Sequence, residues 1–292
     1  MKGKISIGTA QLGLNYGIGN KNGKIPVESF QKIIDLAKQH EISSLDTAMA
    51  YGNAEVLLGE IGVQGFNTTT KLSSIPLGDK NIDTWVQDKI ETSLANLKQD
   101  KLYSVLLHDP TQLTNSKGIQ IMKALERAKN KNLMQKIGVS IQNPDDLKNI
   151  TQNFNIDIIQ APFNILDRRL DQTGWIDKLH NLHIEIHARS IFLQGLLLMS
   201  ALDIPENFHK WNYLFNKFHR WLEAQKITPY EACLNFALSY KKISKLVIGV
   251  DSINQFKILI STLSKLKTIT KFPDISSKEL NLIDPTRWKG KN

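Results

Sequence analysis

An aspartate and a tyrosine stand five positions apart in "SLDTAMAYGNAEVLLGE", Asp46 and Tyr51, where a short apolar run gives way to a helical pattern. Neither extends a hydrophobic core, and Thr47, Ala48, Met49 and Ala50 between them leave both free to face a cleft. Two more polar residues close apolar runs in the same way, Lys71 in "FNTTTKL" and His108 in "LYSVLLH". A phenol with a pKa of about 10 is a poor proton donor near neutrality. An adjacent ammonium stabilises its conjugate base, and an aspartate on the far side keeps that ammonium charged and oriented. Asp46, Lys71 and Tyr51 supply such a chain, so the expectation is a Tyr51 made more acidic by Lys71. His108 adds a second donor to the oxygen that Tyr51 would protonate. Two donors aimed at one developing alkoxide stabilise it as a hydride reaches the carbon, and the chemistry this set suits is carbonyl reduction or its reverse. Taken singly, each residue has a plain structural explanation: a cap, a hydrated ring, a solvated ammonium, a satisfied core histidine. The joint placement carries the reading.

What would hold these groups together is a repeated unit. Short apolar or β-branched runs recur near residues 4–10, 43–48, 66–72, 102–108, 136–140, 157–161, 184–190 and 245–250, which makes eight candidate strands. Between them apolar residues return every three or four positions, as helices require. Val27, Phe30, Ile33, Ile34 and Ala37 form one such stripe after Pro26; Val86, Ile90, Leu94 and Leu97 form another, and Ile121, Met122, Leu125 and Ala128 a third. Pro144, Asp145 and Asp146 open the next helix. Strict alternation implies parallel strands with helical crossovers, and eight units in 292 residues predict a closed (β/α)8 TIM barrel, a single domain over residues 1–292. The rhythm departs once, at residues 204–240, where two helical stretches meet at "KITPYE". The first, with Trp211, Leu214, Phe215, Phe218 and Leu222, reads as an insertion after strand seven, and the second as the crossover to strand eight. Residues 253–266 supply the last crossover, "SSKELNLIDP" predicts a capped C-terminal helix, and only the "WKGKN" tail is of low complexity. In such a barrel the reactive groups sit at the carboxyl ends of the strands, where all four candidates fall.

Bulk properties narrow the partners. Apolar residues at 41% and charged residues at 22% fit a soluble globular chain. The net charge of +9 comes from scattered lysines, without the basic run and interleaved aromatics of a nucleic-acid surface, so no nucleic acid is expected. Cys233 is the only cysteine, which rules out a disulfide within the chain, and its helical surroundings predict a buried thiol. "MKGKISIGTA" lacks the apolar run of a secretory leader and no stretch of 18 apolar residues occurs, so a cytoplasmic protein without a membrane anchor is expected. His180, His183 and His187 invite a metal reading, but a helix end running into a strand scatters their side chains, and no metal is expected. No heptad or apolar seam points to a particular oligomeric state.

Over essentially its whole length the chain resembles the aldo-keto reductases. "DTAMAYGNAEVLLGE" is similar to that family's signature around its aspartate and tyrosine, "TTTKL" to its lysine strand and "SVLLHDP" to its histidine strand. The resemblance implies a catalytic set of Asp46, Tyr51, Lys71 and His108, and a nicotinamide coenzyme, NADPH or NADH, bound without a Gly-rich fingerprint. It places Gly8, Thr9 and Asp46 beside the coenzyme, Ser140 and Gln160 on its carboxamide, and Ser190, Phe192 and Gln194 along its pyrophosphate. Gly249, Asp251 and Gln255 fall at its adenosine end, and Gln11, with Tyr51 and His108, faces a small carbonyl substrate. Three departures stand out. Ile141 follows Ser140 where many relatives carry asparagine. Arg189 takes the place of an aromatic that stacks on the nicotinamide, which its planar guanidinium could replace. Asp251 stands where relatives present basic residues to a 2'-phosphate; the family habit is NADPH, and Asp251 argues against it. The implied activity is hydride transfer to an aldehyde, ketone or sugar carbonyl. The alternative is a reductase-like sensor that binds coenzyme without turnover.

Overall fold

The computed structural model describes residues 1–75, 81–114 and 117–288. Eight parallel strands close into a barrel in sequence order: β1 Ile5–Gly8, β2 Ser44–Asp46, β3 Asn67–Leu72, β4 Leu102–Leu107, β5 Met134–Ser140, β6 Ile158–Pro162, β7 Glu185–Arg189 and β8 Lys245–Gly249. β1 closes the ring by pairing with both β2 and β8, so that Gly8 lies opposite Asp46 on one side and Gly249 on the other. Every predicted strand is present. β5 starts at Met134, before the predicted run, because Met134 pairs with Leu102.

The helices form where the apolar spacing places a stripe against the strands. Val27–Gln39 buries Phe30, Ile33, Ile34 and Ala37; Ile82–Leu97 buries Val86, Ile90, Leu94 and Leu97; Lys117–Asn130 buries Ile121, Met122, Leu125 and Ala128. Asn81 caps the second of these, its side chain accepting from the Thr84 amide at 3.1 Å. After β7 the chain makes the predicted excursion, helix Asn212–Gln225, which buries Leu214, Phe215, Phe218 and Leu222. A capping box at Thr228 and Glu231, with Pro229 in the first position, opens the crossover helix Pro229–Ser239. Cys233 in that helix is a buried thiol, and burial pushes its pKa up.

The C-terminal segment differs from expectation. The capped helix predicted over "SSKELNLIDP" shrinks to one turn, Leu280–Ile283. The Ser277 amide donates to the carbonyl of Leu166 at 2.8 Å, and Glu279, at φ −72 and ψ 104, lies outside the helical region, so the helix starts only at Leu280. Pro285 then stops the helix and opens a short 3-10 turn. The segment packs on the excursion instead, with Trp288 edge-on to Phe208 at 4.9 Å. Of the "WKGKN" tail, residues 289–292 lie outside the described residues.

At the amino ends of the strands the barrel interior is closed by charge. Glu185 on β7 accepts from Tyr103 of β4 at 2.8 Å, pairs with Lys136 of β5 and lies 3.3 Å from His187. Burial alone would raise its pKa, but hydrogen bonds from His187, Lys136 and Tyr103 outweigh it and hold the carboxyl at about 2. The stability this gives is present above the ordinary glutamate pKa and lost as pH falls through about 2. Among the described residues no helix is long and apolar enough to cross a membrane.

Candidate active site

The four polar groups converge at the carboxyl ends of β2, β3 and β4. Lys71, 1% exposed on β3, donates to Asp46 Oδ1 at 2.5 Å and to the Thr47 carbonyl at 2.8 Å. Asp46 ends β2, and its Oδ2 accepts from Gln160 Nε2 of β6 at 2.5 Å. The Lys71 ammonium stands 5.2 Å from the centre of the Tyr51 ring. His108 follows β4, tied to its neighbour strand by a hydrogen bond from its amide to the Leu72 carbonyl at 3.1 Å; its ring lies 6.1 Å from that of Tyr51, nearly perpendicular. Tyr51 itself sits in a turn fixed by Tyr51 N to Ala48 O and Ala54 N to Tyr51 O, each 3.0 Å. The chain after β1 presses on that turn so closely that a Cβ added at Gly13 would lie 1.8 Å from the Tyr51 carbonyl oxygen.

The electrostatics correct one expectation. Tyr51 is not made more acidic: burial raises its pKa, Lys71 and Arg189 offset this only in part, and Asp46 adds to the rise. A phenol nearly shut off from water loses more from desolvation of the anion than a neighbouring ammonium already shared with Asp46 returns. For Lys71, burial would favour the neutral amine, but Asp46 and Tyr51 outweigh it and hold the ammonium charged. His108 is driven down to about 4 by burial first, then by the positive charges of Lys71 and Arg189. At neutral pH the site therefore holds a protonated phenol, an ammonium–carboxylate pair and a neutral imidazole.

A cavity of about 470 Å3 opens beside this set. Its wall includes Gly8, Thr9, Gln11, Asp46, Tyr51 and Gln160 on one side and Arg189, Ser190, Phe192, Gln194, Gly249, Asp251 and Gln255 on the other. Lys71 and His108 stand behind Asp46 and beside Tyr51, outside the wall, and Ser140 is buried in register with Gln160, also outside it. Gln11 lies in the cavity wall with its side chain over Gly249, where a Cβ would meet it at 2.6 Å, and it favours the charged form of Asp251. Asp251 is held by Gln255, whose Oε1 accepts from the Asp251 amide at 2.8 Å and whose Nε2 donates back to the carboxylate at 3.2 Å. Arg189 is turned toward the loop after β5, donating to the Ile141 carbonyl at 2.9 Å and Gln142 Oε1 at 2.5 Å.

Several wall residues escaped the sequence reading. Tyr230 stacks on Phe192 at 4.5 Å, and Tyr16, Lys21, Met199 and Asp203 come from loops after β1 and β7. Those loops touch, the Gly19 amide donating to the Gln194 carbonyl at 3.1 Å. A signal was available for Tyr230, one step inside the capping box that "TPYE" spells out. The loop after β7 carries positive φ at Ser190, Leu193, Gln194 and Gly195, a concentration of uncommon backbone that belongs to functional loops more often than to connectors.

The aldo/keto reductase family model matches residues 4–279. The chain belongs to that family. The reductase is 24% identical over 275 residues to the uncharacterized oxidoreductase YqkF of Bacillus subtilis, an alignment covering 87% of this chain and 89% of the relative. It is 22% identical to D-arabinose 1-dehydrogenase of Saccharomyces cerevisiae, with 93% of this chain and 86% of that enzyme covered. Among solved structures, the holo form of aldo-keto reductase AKR11C1 from Bacillus halodurans superposes with a TM-score of 0.75 at 20% identity, covering 91% of this chain and 88% of that one. Membership makes this reductase an NAD(P)H-dependent oxidoreductase. The cavity fits such a coenzyme. Gln160 Oε1 and Gln194 Oε1 are buried without a hydrogen-bond partner among the described residues, and both side chains belong to the wall. Buried acceptors of this kind call for a donor, which a ligand amide or hydroxyl provides.

Proposed function

We propose that the enzyme reduces an aldehyde or ketone carbonyl, with Tyr51 as the general acid. The observation that carries this reading is the hydrogen-bonded chain from Gln160 through Asp46 to Lys71, whose ammonium stands 5.2 Å from the Tyr51 ring, with neutral His108 beside that ring. Gln160, Ser190, Phe192, Gln194, Gly249 and Asp251 would hold the nicotinamide coenzyme, which when bound supplies the hydride that adds to the carbonyl carbon. Tyr51 gives its phenolic proton to the carbonyl oxygen. Burial keeps that proton in place until an alkoxide develops, and Lys71 then favours the phenolate that remains. Asp46 keeps Lys71 charged and aimed, and accepts hydrogen bonds from Lys71 and Gln160 that fix its own position. His108, neutral at pH 7, donates from a ring nitrogen to the same oxygen and orients it. The buried setting strengthens each of these interactions relative to water.

The coenzyme is NADH or NADPH. The family habit favours NADPH, whereas Asp251 and the absence of an ion-pairing cation beside it, among the described residues, support NADH. The decisive test is Tyr51→Phe. Loss of turnover by about 100-fold or more across aldehydes, ketones and sugars, with coenzyme binding retained, is the expected result. Coenzyme binding with no turnover of any carbonyl by the wild type would favour a sensor instead.

A further inference from the structure

The side chain of Arg189 crosses the end of a neighbouring strand. Arg189 closes β7, yet its Nη2 donates to the Ile141 carbonyl at 2.9 Å and to Gln142 Oε1 at 2.5 Å, both in the loop after β5. The strand between is β6, where the Gln160 main-chain oxygen accepts from the Ile141 amide at 2.8 Å. One residue, Ile141, thus ties the guanidinium to Gln160, and both side chains line the cavity. A relay from the C-terminal segment holds the charge there. Gln142 donates from Nε2 to Asp284 Oδ1 at 2.7 Å, which turns its amide oxygen toward Arg189, and Asp284 accepts from the Thr286 amide at 3.0 Å.

Two observations bring the reactive end of a bound coenzyme to this guanidinium. Gln160 Oε1 is buried without a hydrogen-bond partner among the described residues, and the amide of a carboxamide supplies the donor it calls for. The ring that bears the carboxamide must also meet a carbonyl whose oxygen is handled by Tyr51 and His108, and the charge of Arg189 acts on both of those groups. The other charges at this end cancel or vanish near neutrality. Lys71 and Asp46 form a pair, Tyr51 keeps its proton and His108 is neutral. Asp251 is engaged by Gln255, and Asp109 and Asp284 do not belong to the cavity wall. Arg189 therefore sets the sign of the field where the ring must lie.

A nicotinamide ring is neutral when reduced and a pyridinium cation when oxidised. An aromatic side chain beside it would attract the cation through its π face. A fixed guanidinium does the opposite, and a cavity shielded from water strengthens the repulsion. We propose that Arg189 selects the oxidation state of the coenzyme, retaining the reduced form and weakening the hold on the oxidised one, so that the site is loaded for carbonyl reduction; this rests on the reductase reading above.

The test is a set of Kd values by titration calorimetry for NADH and NAD+, and for NADPH and NADP+, in the wild type, Arg189→Lys, Arg189→Gln and Arg189→Trp. The two members of each couple share their adenosine half, so the ratio of oxidised to reduced Kd reports on the ring and is insensitive to a general loss of affinity. The expected ratio is about tenfold or more in the wild type, partly kept in Arg189→Lys and brought down toward one in Arg189→Gln and Arg189→Trp. A wild-type ratio near one overturns the proposal, needs no variant to fold, and leaves the reductase reading standing where carbonyls are turned over. A large ratio that Arg189→Gln leaves unchanged overturns it as well. A protein that binds neither form and turns over no carbonyl removes the reductase reading and the proposal together.

Discussion

Gln160 reaches across the barrel from β6 to donate to the Asp46 carboxylate on β2 at 2.5 Å, and its own carbonyl oxygen is left buried with no partner among the described residues. One side chain thus orients the Asp46 carboxylate and presents an unmet acceptor at the cavity wall. The two duties are inseparable, because the amide can turn its oxygen to the cavity only by giving its nitrogen to Asp46.

Gln160→Leu is therefore predicted to act on binding first. In the proposed site, losing the acceptor takes the partner from the coenzyme carboxamide, and Kd for NADH or NADPH is expected to rise roughly tenfold or more. Asp46 loses one of two donors, and kcat falls as well. Fluorescence titration reads the first effect and single-turnover kinetics the second; an unaltered Kd would place the carboxamide elsewhere.

The pH profile follows from His108 and Tyr51. Burial, Lys71 and Arg189 hold the imidazole pKa at about 4, so protonation sets in only as pH falls toward that value. Burial raises Tyr51, so its proton is retained above the ordinary phenol pKa. For reduction, kcat/KM is expected to be level from about pH 5 to 9, with an acid limb near 4. Because His108 binds its proton less readily in the folded chain, folding stability also declines between its ordinary pKa and about 4. An acid limb near 6.5 would mean that the imidazole is solvated and the pocket more open than described.

Asp251 leads to a prediction about coenzyme choice. Its carboxylate is half-buried and held by the amide of Gln255. A 2'-phosphate brought beside it meets like charge, whereas a ribose hydroxyl meets an acceptor. NADH is expected to bind more tightly than NADPH by about tenfold or more, and Asp251→Asn to shrink that ratio. Equal affinities in parallel titrations would show that the adenosine ribose lies away from Asp251.

Much of this was legible in the sequence because the barrel's strands are buried on both faces, so each appears as a short apolar run, and a polar residue closing the run is conspicuous. Asp46, Lys71 and His108 announce themselves in that way. The C-terminal helix is shorter than "SSKE", with the residues of a cap, suggests, because the chain there is tied to Leu166, more than a hundred positions away, and is extended at Glu279. The sign of the Tyr51 shift was hidden for a related reason. Which charges are nearby can be read from strand order, but how completely a ring is desolvated depends on loops such as the one carrying Tyr16 and Gly19. The Arg189–Gln142–Asp284 relay likewise joins three distant segments, and no local pattern encodes it.

Gly13 offers the sharpest separation between holding Tyr51, the proposed acid, and merely surrounding it. It lies in the one-turn helix after β1, in a backbone conformation open to any residue, so only space forbids a side chain there. A Cβ would stand 1.8 Å from the Tyr51 carbonyl oxygen and 2.8 Å from its carbon. Both are backbone atoms that cannot step aside alone. The reciprocal contact is as tight, since a Cβ at Gly52, already at φ +58, would meet the Gly13 carbonyl oxygen at 2.7 Å. Gly13→Ala must therefore move the turn that carries Tyr51. A displacement on the order of 1 Å is expected to lower kcat about 100-fold, with a stability cost of about 1–3 kcal/mol. Gly3→Ala is the control, because nothing lies within 4 Å of a Cβ there. Thermal melts and kcat for the two variants check the argument: a Gly13→Ala protein with full kcat would mean that the Tyr51 turn adapts without moving the phenol.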